Sequence, residues 1–198
     1  MKIKRIIVGQ EETNCYVLYE EGHAIVIDPG DEGKRIKHFL SKNELVVDMI
    51  LLTHAHCDHS LAVDYLYDLY KCAVYVSRLD SYYYSSSKVE GGYGIKAPTL
   101  DYPSVFKWGD NEITITMLPG HSEGSVLIHI GEYYFSGDVL FLDGIGRYDL
   151  VGSDYDALKE SLRILSELKD DVKLYPGHEE VFTIGAVKEK NEYLRNLW

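Results

Sequence analysis

The chain alternates between short apolar runs and polar or glycine-containing turns, with few long amphipathic stretches. Most runs are four to eight residues long and either alternate in polarity or are apolar throughout, which is typical of half-buried and fully buried strands. The pattern predicts strands at Lys2–Val8, Cys15–Tyr19, Ala24–Asp28, Val46–Leu52, Ala73–Val76, Glu112–Leu118, Ser125–Ile130, Tyr133–Phe135 and Val172–Tyr175.

Four segments instead carry apolar residues near helical spacing. They are Lys34–Leu40, Leu61–Tyr70, Asp154–Leu168 and Ala186–Leu197. Ser153 with Asp156 resembles a capping box in which Asp replaces Glu. Strands come in runs that helices separate, and the two halves of the chain look alike in outline. We therefore predict one α/β domain over residues 1–198, an αββα sandwich of two mixed sheets flanked by helices.

Charge, apolar runs and cysteine content disfavour several classes of protein. The net charge of −12 argues against a phosphate-backbone binder, so we expect a small-molecule substrate and no nucleic-acid partner. No stretch approaches the ~18 apolar residues that a membrane span needs. Three cysteines without CxxC spacing, and an N-terminus without the apolar run of a secretion signal, favour a reducing, cytoplasmic compartment.

Residues Asp80–Asp101 have no steady period and are rich in Tyr, Ser and Gly. One interpretation is a surface loop whose tyrosines lie flat on the domain. The other is a mobile loop over a pocket, since long structureless loops in compact domains are often functional. The sequence leaves both open.

The strongest chemical signal is HAHCDH, which places His54, His56, Asp58 and His59 within six residues. Imidazole and carboxylate suit zinc, iron or manganese. In an extended segment His54 and His56 point the same way and can bind one ion, whereas the other two can face a second ion. The spacing of His54 and Asp58 also suits a helix, but the preceding apolar strand and Cys57 favour a loop.

Three later strands end in glycine followed by a residue that can bind a metal. ITITMLPGH ends at His121, EYYFSGD ends at Asp138, and VKLYPGH ends at His178. Glycine permits a sharp turn where a strand stops, and sites commonly form where strand ends deliver polar side chains to one edge. Five histidines and two aspartates in such positions predict a metal site. The other histidines are predicted to be ordinary surface or strand residues: His23, His38 and His129.

These motifs resemble the metallo-β-lactamase superfamily, specifically its small glyoxalase II-like (hydroxyacylglutathione hydrolase-like) members. The HxHxDH run is the most specific element, and the resemblance spans nearly the whole chain. It implies the αββα metallo-β-lactamase fold. The other segments that carry it are IDPG (27–30), PGHSEGSV (119–126), SGDVLF (136–141), IGRYDL (145–150), YPGH (175–178), TIG (183–185) and NEYL (191–194).

The resemblance also implies two divalent metal ions, zinc as the first choice and iron or manganese as alternatives. It implies that the first metal is bound by His54, His56 and His121. It implies that the second metal is bound by Asp58, His59 and His178. Asp138 would bridge both metals.

The resemblance also implies roles for Asp28, Arg147 and Asp149, and the sequence itself suggests residues that surround the substrate. Asp28 would lie beneath the site and fix a ligand tautomer. Arg147 and Asp149 would be structural or pocket-edge residues. Residues suggested for the surroundings of the substrate are Tyr82, Tyr83, Tyr84, Tyr93, Arg147 and Tyr148.

The ligand set predicts a hydrolase. Two divalent ions less two aspartates and one hydroxide leave a charge of about +1, which suits a developing oxyanion. Metal binding lowers the pKa of water to about 7, so hydroxide is available to attack an acyl carbon, with Asp58 orienting it. A thioester is the favoured substrate, because a thiolate leaves readily. Full-length glyoxalase II has a further C-terminal helical segment that contributes much of its glutathione site. Because this chain ends about twenty residues after His178, we expect glutathione thioesters to be disfavoured.

Alternatives remain open within the superfamily. A persulfide dioxygenase uses one iron ion, held by the equivalents of His54, His121 and Asp138, and resembles this chain around GRYD. YPGH with its following acidic pair favours the hydrolases instead. The acidic charge disfavours a nuclease, and a start without an export signal disfavours a β-lactamase. A non-catalytic metal-binding protein is the third class, although all seven ligands are present.

Overall fold

The computed structural model describes residues 1–197, and these form two compact units. The first unit comprises residues 1–102, and the second begins at residue 103. Each unit contains one six-stranded mixed sheet with its own helices and its own apolar core. The prediction of two mixed sheets flanked by helices is therefore confirmed, while a single domain over residues 1–198 stays a prediction.

The sheet of the first unit has its strands in chain order. They are β1 (Lys2–Val8), β2 (Thr13–Glu20), β3 (His23–Ile27), β4 (Val46–Leu51), β5 (Ala73–Tyr75) and β6 (Thr99–Leu100). Strands β1 to β3 pair antiparallel, and β3 to β6 pair parallel. Parallel neighbours need crossover connections, which helices supply here. The helices are α1 (Gly33–Lys42), α2 (Cys57–Ser60), α3 (Val63–Tyr70), a 3-10 helix (Arg78–Asp80) and α4 (Ser81–Tyr84).

Burial explains why these segments form a sheet and helices. Strands β2 and β3 are apolar on both faces over most of their length, as expected for buried strands in the middle of a mixed sheet. Helix α1 buries Ile36 and Leu40, four residues apart and hence on one face. These side chains join the core of the first unit with Val26 and Ile50.

The sheet of the second unit repeats this outline. Its strands are β7 (Val105–Trp108), β8 (Asn111–Met117), β9 (Val126–Ile130), β10 (Tyr133–Gly137), β11 (Lys173–Pro176) and β12 (Phe182–Thr183). Strands β7 to β10 form an antiparallel meander, and β11 pairs parallel to β10. Helix α5 (Tyr155–Ser166) makes the crossover and buries Leu158, Leu162 and Leu165 in the core of this unit.

The C-terminal helix differs from its prediction. The sequence predicted one helix over Ala186–Leu197, but α6 (Ile184–Lys190) and α7 (Glu192–Arg195) are separated by Asn191. The Asn191 side chain accepts hydrogen bonds from the first backbone N–H groups of α7, and its amide donates to the carbonyls of Phe141 and Gly144. A buried side chain with these bonds ends one helix and begins the next.

Other boundaries shift by a few residues. The short strands β6, β7 and β12 were not predicted, because two to four residues carry too little periodicity. The helix predicted from Leu61 begins at Val63, after the separate turn of α2. The cap of α5 is Asp154, one residue later than predicted; its carboxylate accepts from the Ala157 N–H at 2.7 Å. Within residues 1–197 no helix is long and apolar enough to span a membrane.

Candidate metal centre

The first group of metal-competent side chains lies directly after β4. His54 lies in a bend, His56 has an extended backbone, and helix α2 then begins at Cys57. The loop predicted for the whole run is therefore wrong for its second half. The ring centroid of His54 lies 4.7 Å from that of His56 and 4.1 Å from that of His59, and His59 Nε2 lies 3.4 Å from Asp58 Oδ2. The first unit therefore brings together all four residues of the run.

Asp28 lies beneath this group, at the end of β3. Its buried carboxylate accepts hydrogen bonds from the Thr53 N–H at 2.8 Å and the Thr53 hydroxyl at 2.7 Å. Asp28 Oδ2 also lies 3.1 Å from His59 Nδ1. Because a carboxylate accepts and does not donate, a proton on His59 Nδ1 would face Asp28 and leave the lone pair on Nε2. The structure thus places Asp28 against His59, one of the predicted ligands.

Thr53 connects Asp28 to a second histidine, His54. Its hydroxyl proton is directed at Asp28, so Thr53 Oγ1 is left to accept from His54 Nδ1, 3.1 Å away. His54 then presents the lone pair of Nε2. Partners of this kind orient metal-binding imidazoles and select the tautomer. Asp28 therefore lies against two of the predicted ligands: it contacts His59 directly and His54 through Thr53.

Asp58 is positioned by two neighbours. The Thr13 hydroxyl donates to its Oδ2 at 3.1 Å. Its backbone carbonyl passes so close to Gly30 that a Cβ at residue 30 would lie 1.7 Å from the carbonyl oxygen. The glycine of IDPG is therefore required for close approach of two backbone segments. This contact links the two motifs of the first unit.

The second unit brings together the remaining predicted ligands. His121 follows β8, Asp138 follows β10, and His178 follows β11. Asp138 Oδ2 lies 3.3 Å from His178 Nε2 and 3.7 Å from His121 Nε2. Because β10 and β11 are parallel neighbours, their carboxyl ends meet at the same edge of the sheet. The strand-end pattern seen in the sequence thus produces a real cluster.

The IGRYDL segment supports this cluster through its backbone. The carbonyl of Arg147 accepts from His121 Nδ1 at 2.9 Å, which leaves the lone pair of His121 on Nε2. A Cβ at Gly146 would lie 1.8 Å from the carbonyl oxygen of Asp138 and 3.0 Å from His121 Nδ1. The Arg147 side chain instead forms a two-pronged, exposed ion pair with Asp149.

The tyrosines suggested for the substrate surroundings lie in different places. Tyr83 is fully buried, its ring is 4.5 Å from that of His56, and burial raises its pKa to about 12. The Tyr93 hydroxyl donates to Asp64 at 3.2 Å, and burial raises its pKa. Tyr148, in the second unit, packs against Tyr155 with ring centroids 4.6 Å apart.

Sequence reasoning missed Asp80. This fully buried carboxylate accepts the backbone N–H of Ala55 at 2.9 Å, inside the HAHCDH run. The contact joins positions 25 residues apart, and no motif or period marks Asp80 in the sequence. Thr53, also missed, had a weak signal because it directly precedes His54 on the apolar strand.

The remaining histidines and the cysteines do not extend either cluster. His23 pairs with Asp48 at the surface, and His129 stacks on Tyr134. The three cysteines are free thiols, and burial raises the pKa of Cys57. A neutral Cys57 fits a packing role better than that of a nucleophile.

Both clusters suit a divalent cation. Each combines histidine nitrogens with carboxylate oxygens, the donor set preferred by zinc, iron and manganese. In each, a hydrogen bond to Nδ1 leaves Nε2 of a buried histidine as a possible ligand atom, at His54 in the first unit and at His121 in the second. The residues present therefore fit metal ions, and the donor types alone do not select among those three elements.

Comparisons with known proteins agree with this chemistry. A family model described as "Metallo-beta-lactamase superfamily" matches residues 8–178. Hydroxyacylglutathione hydrolase GloC of Haemophilus influenzae is 31% identical, with 99% of each chain covered. Among solved structures, the BLEG-1 B3 metallo-beta-lactamase has a TM-score of 0.89 at 31% identity, covering 98% of this chain and 99% of its own. TTHA1623 in a di-iron-bound form has a TM-score of 0.86 at 31% identity, covering 96% and 99%.

Proposed function

Because the chain belongs to the metallo-β-lactamase superfamily, we propose that it is a binuclear metal-dependent hydrolase of a thioester or related small acyl substrate. Its two mixed sheets flanked by helices match the fold of that family. One observation carries the proposal. Each unit holds a histidine–carboxylate cluster in which a hydrogen bond to Nδ1 of one buried histidine leaves its Nε2 available to a metal.

We assign the ligands as the resemblance implies. The first metal is assigned to His54, His56 and His121, and the second to Asp58, His59 and His178. Asp138 is assigned as the bridge. All seven side chains lie within residues 8–178, the range that the family model matches.

The chemistry is divided between the metals and the chain. When bound, a pair of divalent ions polarises an acyl carbonyl and lowers the pKa of water to about 7. Asp58 is assigned to orient the attacking water, since the Thr13 hydroxyl and the backbone contact at Gly30 hold that carboxylate in place. Asp28 lies 3.1 Å from His59 Nδ1 and would favour a proton there, which leaves Nε2 available.

The substrate proposal follows from relatives of similar extent. GloC, matched over 99% of its length, is named a hydroxyacylglutathione hydrolase. This supports a hydroxyacylglutathione thioester as the first substrate to test, although the sequence alone led us to expect otherwise. We propose zinc or iron as the metal, the latter because TTHA1623 has a di-iron-bound form. Three free thiols support our proposal of a reducing, cytoplasmic location.

The test combines metal analysis with hydrolysis assays. We expect two metal ions per chain, hydrolysis of a hydroxyacylglutathione thioester or a simpler thioester, and loss of activity on chelation that added zinc or iron reverses. His178→Ala should lose one metal and most of the activity. His129→Ala, which alters a histidine stacked on Tyr134, is the matched control and should change neither.

Other results would assign another function. One iron per chain with oxygen consumption on glutathione persulfide would replace the hydrolase with a dioxygenase. Hydrolysis of a β-lactam but not of a thioester would show that the substrate is a β-lactam. A fully metal-loaded protein that is inert across the panel would indicate a non-catalytic role.

A further inference from the structure

Residues Asp80–Gly91, which we call the brace, contact the HAHCDH run at three points. They supply a carboxylate to Ala55, an aromatic ring to His56 and a carbonyl to Cys57. We propose that the brace is a positioning element of the metal site, which holds His56 and the backbone around it in the geometry needed for metal binding. The inference rests on the metal binding proposed above.

The first contact fixes the backbone between two ligands. Asp80 Oδ2 accepts the N–H of Ala55 at 2.9 Å, and Ala55 stands between His54 and His56. Asp80 is fully buried, so this charge-assisted bond is shielded from water and is stronger than a neutral one. Its loss would leave a buried N–H without its acceptor and free the peptide that joins the two histidines.

The second contact secures the start of α2. Cys57 is the first residue of this helix, and the first N–H groups of a helix have no acceptor within it. The preceding residue, His56, makes no side-chain capping bond. The carbonyl of Gly91 accepts the Cys57 N–H at 2.7 Å and so takes the place of a cap. Asp58 and His59 lie in that first turn, so their positions depend on this bond.

The third contact bears on a ligand ring itself. The Tyr83 ring meets the His56 ring edge to face, with centroids 4.5 Å apart and an interplanar angle of 80°. Tyr83 is fully buried and also packs on Tyr82, so its ring limits the orientations that the His56 imidazole can adopt. The Asp28–Thr53 pair orients His54 and His59. The brace contacts the remaining histidine of the run.

The test separates positioning from stability. We would measure zinc affinity by competition with a chromophoric chelator, and the free energy of unfolding of each metal-free variant. Asp80→Ala and Tyr83→Leu should weaken zinc binding about 10–100-fold, the range found for partners of metal ligands. Asp80→Asn keeps an acceptor oxygen and Tyr83→Phe keeps the ring, so both should recover most of the affinity.

Thr183→Ala is the control for general destabilisation. Thr183 caps α6 by accepting the Ala186 N–H at 3.2 Å, so its loss should lower the free energy of unfolding. Zinc affinity should be unchanged in this variant. If Asp80→Ala folds poorly, the zinc affinities of Tyr83→Leu and Tyr83→Phe test the positioning role instead.

Three results would overturn the proposal. Wild-type affinity in both Asp80→Ala and Tyr83→Leu would show that the brace does not position the site. Equal loss in Thr183→Ala would show that zinc binding merely follows stability. If the wild-type protein binds no metal, both the proposed function and the positioning role of the brace are wrong. Normal metal binding without hydrolysis would contradict only the proposed function.

Discussion

Asp28 Oδ2 lies 3.1 Å from Nδ1 of His59, with both side chains buried. The same carboxylate accepts hydrogen bonds from the N–H and the hydroxyl of Thr53. The arrangement needs two accepting oxygens. Aspartate provides them, whereas asparagine provides one acceptor and one donor.

Asp28→Asn is therefore predicted to weaken metal binding about 10–100-fold. The substitution replaces one carboxylate oxygen by an amide N–H, which would face Thr53 or His59 Nδ1 without being able to accept a hydrogen bond. Chelator competition on the purified protein measures the change. Asp48→Asn, which alters the exposed pair with His23, is the matched control and should bind metal normally. Unchanged affinity in Asp28→Asn would contradict the assigned tautomers.

Gly146→Ala is predicted to disturb the second cluster. A Cβ at residue 146 would lie 1.8 Å from the Asp138 carbonyl oxygen, so the backbone carrying that ligand must move. We expect a loss of about 1–3 kcal/mol in the free energy of unfolding and reduced metal content. Gly144→Ala is the control, since a Cβ there meets nothing within 4 Å. Equal behaviour of the two variants would refute the argument.

Asp154→Ala is predicted to cost about 1 kcal/mol of stability, since the carboxylate caps α5 through the Ala157 N–H. Ser153→Ala tests the cap that the sequence pattern suggested. The Ser153 hydroxyl donates to the Leu150 carbonyl instead, so its removal should cost less. Urea unfolding compares the two variants, and a larger loss at Ser153 would favour the sequence-based cap.

Stability is predicted to fall at alkaline pH. Burial raises the pKa of the Cys72 thiol from 9.0 to about 11, so between those values the folded chain keeps a proton that the unfolded chain has lost. The unfolded state therefore binds fewer protons, and the free energy of unfolding decreases as the pH rises from 9 to 11. Urea unfolding across this range measures the decline. Cys72→Ala should make it shallower, and an unchanged slope would exclude Cys72 as a cause.

Much of the fold could be predicted, and candidate metal ligands could be named, because their signals are local. Strand β3, for example, is a run of apolar residues, and such periodicity is written directly in neighbouring positions. Likewise His121, Asp138 and His178 each follow a strand and a glycine, so the sequence marked them as residues at a sheet edge. The resemblance to a family then grouped them into ligand sets.

Other features depend on contacts between distant positions. Asn191 looks like an ordinary helical residue until its amide meets two carbonyls about fifty residues away. Asp80 looks like any surface aspartate, yet it is buried against Ala55. The Tyr-rich segment has no period, so its packing against His56 could not be derived from the pattern.

The sequence by itself determined which side chains are candidate metal ligands and which segments become strands, because residue type and spacing are properties of adjacent positions. The tertiary structure decided how those side chains are prepared: which imidazole nitrogen keeps its proton, which carboxylate carries the backbone of the loop, and which aromatic ring confines His56. Hydrogen bonds and ring contacts form only when the folded chain brings remote residues within a few ångströms, and their geometry is therefore a property of packing.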